Sequence, residues 1–325
     1  MKNYTVRLYQ INDFEIWNAF IDKAKNATFL FHRNFMEYHS DRFSDFSLVI
    51  EDEAKWIAVL PANVVDQTVF SHQGLTYGGL VYDEKLKLNA VIEVFASILK
   101  FLHQKNIKTL QLKLLPSFYA SGFAEELNYA LFLAEAKLIR RDTNAVINLK
   151  DDIKFSKIRI RGIAKAKKFN LILKEEVHLK SFWNKILIPN LKLNYKVKPV
   201  HSLEEIQMLQ KKFSNNIRQF NVYYEDAIVA GATIFETKRV AHAQYISGNE
   251  TKGALGSLDF LFYKLITEIF KDKCYFDFGI SNEHQGRKLN LGLSYWKESF
   301  GANIAVQDFY EVETANYPLL ENVIL

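Results

Sequence analysis

The sequence predicts an α/β protein made of two tandem mixed sheets, each flanked by helices. Three observations predict it. The halves of the 325-residue chain present the same kinds of element in the same order. Each half carries a β-hairpin with an acidic turn. Each also has a long amphipathic helix that ends in a lysine-containing turn and runs into a further strand. A mixed sheet covered by helices, built twice, is the economical arrangement of such elements.

Taken in order, residues 6–9 read as a strand and residues 13–21 as a helix, with Asp13 placed as its N-cap. Residues 171–174 and 179–187 repeat this pair, and both helices carry a Trp-Asn dipeptide, Trp17-Asn18 and Trp183-Asn184. Residues 46–52 and 56–60 form the first hairpin, residues 220–226 and 228–235 the second. A further strand then ends in small or polar residues, Ser71-His72-Gln73-Gly74 in one half and Gln244-Tyr245-Ile246-Ser247-Gly248 in the other. The long helices follow: residues 89–104, with Val91, Val94, Phe95, Ile98, Leu99 and Leu102 on one face, and residues 257–270, with Leu258, Leu261, Phe262, Leu265, Ile266 and Ile269. The strands after them are residues 109–114 and 275–278. The expected division is residues 1–150 as one domain and 169–325 as the other, joined by a basic helix over 151–168. The run from Ser156 to Lys168 holds six Lys or Arg and no Asp or Glu. It reads either as a solvated connector or as a cationic wall where phosphates would bind.

Composition narrows the function. With 49% hydrophobic and 24% charged residues the chain is globular, not disordered. A net charge of +5 suits an anionic small molecule and is too small to argue for nucleic acid. The single cysteine, Cys274, lies in an apolar run and forms no intramolecular disulfide. No signal pattern follows Met1–Val6, and no apolar stretch approaches the roughly 20 residues that span a bilayer. A soluble, cytoplasmic protein is expected. The sequence leaves the oligomeric state open.

Three stretches carry a family resemblance: residues 29–43, residues 71–80, and the C-terminal set 275–281, 289–293 and 296–301. Together they resemble the bacterial double-GNAT proteins related to the Fem-type peptidyltransferases, over nearly the whole chain. The resemblance implies two fused GNAT-like domains, an acyl donor and an amine acceptor. The reading it supports first is an acyl-CoA-dependent N-acyltransferase acting on a dTDP- or UDP-linked amino sugar, as in cell-surface polysaccharide synthesis. The alternatives are a Fem-type transferase using aminoacyl-tRNA in cell-wall synthesis and a non-catalytic ligand-binding protein of the same fold. Coenzyme A thioester is the expected donor. The expected partners are small molecules, and no paired Cys/His cluster suggests a metal.

Candidate residues follow from chemistry and from the resemblance. Amine acylation needs a proton acceptor and a donor to the acyl carbonyl. His72, at a strand end among glycines, is the candidate base, with Tyr77 as a hydrogen-bond donor in the same loop. The alternative places both in packing around that loop. Asp277 alternates with Phe276 and Phe278, so it points away from both rings. There it either orients the acceptor or pairs with Arg287 or Lys288. In a CoA-using GNAT protein the pantetheine arm would lie beside Tyr245 and Ser247. The pyrophosphate loop would correspond to Lys252, Gly253, Gly256 and Ser257, although residues 249–257 depart from the family's strict glycine pattern. A plain strand-to-helix turn explains the same residues. Acceptor contacts are expected from Arg33, Gly78, Arg159, Asn282, Glu283, Lys288 and Asn290.

Overall fold

The first half folds as β1 (Thr5–Leu8), α1 (Phe14–Lys23), α2 (Arg33–Met36), β2 (Leu48–Asp52), β3 (Lys55–Leu60), β4 (Asn63–Val65), β5 (Thr68–Phe70), β6 (Val81–Tyr82), α3 (Leu88–Gln104), β7 (Thr109–Lys113), α4 (Glu126–Leu133) and β8 (Lys137–Asn148). The structure is a computed structural model that describes Lys2 and residues 4–323. A short 3-10 turn, Ile11–Asp13, precedes α1. Asp13 is the N-cap residue of α1 but makes no side-chain cap to it; its carboxylate accepts the Gln10 N–H of the turn at 2.8 Å and an Arg7 guanidinium N–H at 2.6 Å.

The second half folds as α5 (Lys157–Lys168), β9 (Ile172–Glu176), α6 (Lys180–Phe182), a π-helical turn at Trp183–Leu187, α7 (Ile188–Tyr195), α8 (Leu203–Lys212), β10 (Ile217–Tyr224), β11 (Ala227–Glu236) and β12 (Val240–Gly248). It continues as α9 (Lys252–Leu255), α10 (Ser257–Lys264), β13 (Tyr275–Ile280), the small hairpin β14 (Asn282–Glu283) and β15 (Lys288–Leu289), α11 (Leu291–Glu298) and β16 (Asn303–Glu313). Among the described residues no helix is long and apolar enough to cross a membrane.

The chain divides into two compact units. One runs to Asp142 and is completed by the residues from Val306 onward; the other is Thr143–Ala305. In the first unit β1-β2-β3-β6 form one sheet, and β4-β5-β7-β16 a second stretch of strands. Residues Phe309–Glu313 of β16 pair antiparallel with β7. In the second unit the order is β8-β13-β12-β11-β10-β9, with residues 144–148 of β8 antiparallel to β13. Each unit is thus closed by a strand from the other half of the sequence. That differs from the simple division at residues 150 and 169, which keeps each half's last strand at home.

The order strand, helix, parallel strand recurs. In the first unit it is β5, α3, β7, with β5 parallel to β7. In the second it is β12, α10, β13, with β12 parallel to β13. The predicted apolar face of α3 is buried at Val91, Val94, Phe95, Ile98, Leu99 and Leu102; α10 and its π-helical continuation bury Leu261, Phe262, Leu265 and Ile266. Trp17 and Trp183, matched in sequence order, are both fully buried.

Helix α5 is part of the second unit. Ser156 caps it, its side chain accepting the Arg159 N–H, and Gly162, Ile163 and Ala166 form its buried stripe. Gly162 is pressed against the Asp259 carboxylate of α10, and Gly256 against the Gly162 carbonyl, so a Cβ at either position has no room. The sequence reads this helix as a joint between domains. Its three small or apolar inward residues make it a wall of one domain.

Candidate functional site

The second unit opens where two of its strands separate. β12 and β13 pair over three residues only, the last pair being His242 opposite Asp277. On the other side of β12, Ala243 faces Ile234 and Tyr245 faces Thr233, so Gln244 is an extra residue with no partner on β11. A bulge of this kind lifts a residue out of the ladder and re-aims its neighbours. The result is a strand edge that β13 no longer covers, beginning at a bulge.

Polar groups gather at the point of separation. Nδ1 of His242 lies 2.9 Å from Oδ2 of Asp277, and Oδ1 of Asp277 accepts the Gly279 N–H at 2.7 Å. Asp277 is buried, while the His242 side chain keeps 13% of its surface. With the proton on Nδ1, the imidazole donates to Asp277 and Nε2 keeps its lone pair. Gly279, at φ 71°, turns β13 away, and a side chain there would sit 3.2 Å from Cε1 of His242. Lys297 of α11 reaches in from below. Only 3% exposed, it donates to the carbonyls of Gly279 at 2.9 Å and Ile280 at 2.6 Å. Burial pushes its ammonium down to about 8, against the pull of Asp277.

A cationic pocket lies past the end of β12. Gly248, the last residue of that strand, has its open side against Lys252, where a Cβ would stand 3.0 Å from Lys252 Cβ. The pocket has a volume of about 410 Å³, and Arg159, Arg161 and Lys165 of α5, Lys252, Gly253 and Trp296 line it. Asp259 is the one carboxylate among the described residues that line it. It is paired with Arg159, and burial pushes it up although Arg159 pulls it down. Lys165 donates to the Gly253 carbonyl at 3.1 Å. Four cations against one paired carboxylate suit a phosphate-bearing ligand. From Gln244 to Gly248 is four strand residues, roughly 13 Å at the usual rise.

The structure separates the residues singled out in sequence. Arg159, Lys252 and Gly253 line the cationic pocket. Gly256 and Ser257 are buried; the Gly256 N–H is spent on the Lys252 carbonyl at 3.0 Å, and Gly256 adopts φ 68°. Tyr245 faces inward. Its hydroxyl meets Nδ1 of His201 at 2.6 Å, its ring packs edge-on against Trp183, and burial pushes its phenol up to about 12. Ser247 is buried, with no hydrogen-bond partner at Oγ among the described residues. Asn282 accepts the Thr143 N–H and hydroxyl, at 2.6 and 2.7 Å, and so ties the small hairpin to β8. Asn290 caps α11 through Leu293 N–H and donates to Glu283 at 3.0 Å; Lys288 is exposed on the hairpin. Asp277 faces His242, not the Arg287 or Lys288 weighed from sequence.

In the first unit, His72 is buried at φ 61°, its ring stacked on His39 at 4.8 Å. Burial, with His39, Arg33 and Lys113 adding to it, holds it down at about 3. An imidazole so depressed stays neutral near pH 7 and is a weak proton acceptor. Tyr77 is buried and donates to Thr28 Oγ1 at 3.0 Å. Arg33 is buried, pairs with Asp45 at 3.1 Å, and lies flat over Tyr9 and Trp17. Gly78 has its open side filled by Ser71 and donates its N–H to the Lys113 carbonyl at 2.7 Å. These four residues hold the first unit's own packing. His242, which reads as packing from sequence, and Lys297, which the sequence reading did not single out, are what it missed. The only sequence sign of His242 was its place at the start of the strand that ends in Tyr245 and Ser247. Among the described residues no group of three or more His, Cys, Asp or Glu is placed to hold a metal.

No family model matches the sequence, and no curated protein matches it. Solved structures do match in fold. FemX superposes with a TM-score of 0.67 at 10% identity, over 98% of this chain and 99% of that one. L-PGS from Bacillus licheniformis gives 0.58 at 13% identity, over 98% of each chain. A tandem GNAT protein from the clavulanic acid biosynthesis pathway gives 0.52 at 10% identity, over 96% and 99%. At such identities the likeness is one of fold, and the fold is that of the tandem GNAT proteins.

Proposed function

We propose that the chain is an N-acyltransferase whose second unit takes an acyl group from acyl-CoA and passes it to an amine by direct attack. The observation that carries this is an uncovered, bulged strand edge with a His–Asp pair at one end and a four-cation pocket at the other. The donor's phosphates would meet Arg161, Lys165 and Lys252, with its pantetheine arm along β12. Backbone N–H groups freed at the bulge would polarise the thioester carbonyl. The amine nitrogen bonds to the carbonyl carbon, its proton passes to Nε2 of His242, and the C–S bond breaks to release thiolate, which is then protonated. Asp277 holds the imidazole in the tautomer that leaves Nε2 free and steadies the imidazolium. The acceptor proposed first is a dTDP- or UDP-linked amino sugar, the class the sequence resemblance supports.

Binding and turnover test the proposal. Acetyl-CoA should raise the melting temperature of the wild type and release free thiol in the presence of amine acceptors. Arg161→Ala with Lys165→Ala should weaken CoA binding about a hundredfold, as two charge-assisted contacts are lost. Absence of binding at millimolar CoA would sink the donor assignment. A second reading is favoured by the whole-chain match to FemX: the same pocket takes the phosphates at the end of an aminoacyl-tRNA. Consumption of aminoacyl-tRNA without any CoA binding would select it.

A further inference from the structure

We infer that residues 183–201 form a docking element for an anionic bilayer surface. Between Val177 and Leu203 the sequence has five lysines, Lys180, Lys185, Lys192, Lys196 and Lys198, and no Asp or Glu. The charge is interleaved with aliphatic side chains turned to solvent: Leu193 is 81% exposed, Val197 53% and Val200 74%. Lys192, Lys196 and Lys198 are exposed beside them. Lys196, at φ 54°, ends α7 in the left-handed conformation, so residues 197–200 leave the helix as an irregular segment. Water rewards the exposure of three such aliphatic groups with nothing. A headgroup layer rewards both halves of the pattern: lysines find lipid phosphates, and Leu and Val enter the boundary with the acyl chains.

Charge and apolarity together separate a bilayer from a nucleic acid. A phosphate backbone would use the lysines but offers nothing to Leu193, Val197 and Val200, and tracks of bound nucleic acid favour arginine and stacking rings. The segment is also firmly rooted. Trp183 at its start packs edge-on against Tyr245 with ring centroids 4.9 Å apart, and His201 at its end meets the Tyr245 hydroxyl at 2.6 Å. Tyr245 is the residue after the bulge at Gln244. Both ends of the exposed segment therefore stand on the strand proposed to hold the acyl carbonyl, so docking would bring that strand to the bilayer surface. That consequence rests on the acyl-transfer reading; the docking itself does not.

The test is flotation of the full chain with vesicles, without donor or acceptor. The wild type should bind vesicles of phosphatidylcholine with phosphatidylglycerol and not pure phosphatidylcholine, and high salt should release it. Lys192→Gln, Lys196→Asn and Lys198→Gln together should weaken binding on the order of a hundredfold, from roughly fivefold per lysine. Leu193→Ser with Val200→Ser should weaken it with the charge unchanged. Neutralising Lys85, Lys87 and Lys105, three exposed lysines of the first unit, should leave binding intact. The inference is overturned if the wild type ignores anionic vesicles, if the two sets of lysine substitutions act alike, or if the serine variant binds as the wild type does. It is equally overturned if residues 192–198 bind tRNA and not vesicles. None of these outcomes touches acyl transfer, which is read separately by thiol release.

Discussion

Lys297 makes the stability of the second unit depend on pH in a way that one substitution removes. In the unfolded chain this lysine keeps its proton to about 10.5, and in the folded chain only to about 8, because burial disfavours its charge. Between those values the unfolded chain binds more protons, so stability rises with pH. Below about 8 both states are protonated and the group contributes no slope. The gap of about 2.5 at about 1.4 kcal/mol for each pH unit gives a gain of about 3 kcal/mol between pH 7.5 and pH 10.5. Lys297→Met should lose that gain. At pH 7.5 the variant sheds a poorly solvated charge but leaves the Gly279 and Ile280 carbonyls without their donor, so the two effects oppose and the slope is the clean readout. Urea unfolding of wild type and variant at both pH values measures it. Lys113, lowered to about 8 in the first unit, is common to both proteins and cancels. Equal pH dependence within about 1 kcal/mol would refute the reasoning and place the ammonium in contact with water.

His242→Gln should reduce turnover on the order of a hundredfold or more with little change in donor affinity, the range for a lost general base; unchanged turnover, read by thiol release, would leave the amine to shed its proton to water. Asp277→Asn keeps the size of the side chain but removes its charge beside His242, and should lower turnover while the circular dichroism spectrum is unchanged; full activity would mean the pair only packs. Gly256→Val forces a branched side chain into φ 68° and against the Gly162 carbonyl, so it should destabilise the second unit by roughly 2–4 kcal/mol. Selective loss of CoA binding with native stability would instead return Gly256 to the phosphate loop.

The order of elements was legible because period and punctuation survive in the sequence. The apolar stripe of α3 is buried as its spacing dictates, and the hairpins of β2–β3 and β10–β11 lie where acidic turns separate apolar runs. What was not legible is which sheet a strand joins. The sequence reading placed no strand at β8 or β16, whose partners are β13 and β7. Nothing local in an extended segment names a partner more than a hundred residues away. Helix α5 shows the middle case. Its six basic residues left a solvated connector and a cationic wall both open, and three of them, Arg159, Arg161 and Lys165, line a pocket with Lys252 and Gly253. Its inward stripe of Gly162, Ile163 and Ala166 was the sign that it belongs to a core and not to a linker.

The site residues divide by whether a side chain's direction follows from regular alternation. Asp277 does: it sits between two core phenylalanines on an unbroken stretch of strand, and it points where period two sends it. Tyr245 and Ser247 do not, because the bulge at Gln244 shifts the phase of β12 in mid-strand. Ala241 and Ala243 join the core beneath α10, whereas Tyr245, still two residues on, meets Trp183 and His201 instead. His242 precedes the bulge and keeps the phase that brings it to Asp277, 35 residues away. From sequence alone, a histidine two or three residues upstream of Tyr245 reads as packing. His72 fails for a different reason. A histidine among glycines at a strand end looks accessible, but the left-handed backbone at that residue folds its ring inward onto His39, where burial leaves it neutral. Residue type identified the histidines, but backbone irregularity decided which of them keeps a nitrogen available: the bulge opens the strand edge beside His242, and the positive φ closes His72 away. The acyl-transfer site proposed for this chain therefore lies where the second sheet breaks its own ladder, and His242 is the residue that break exposes.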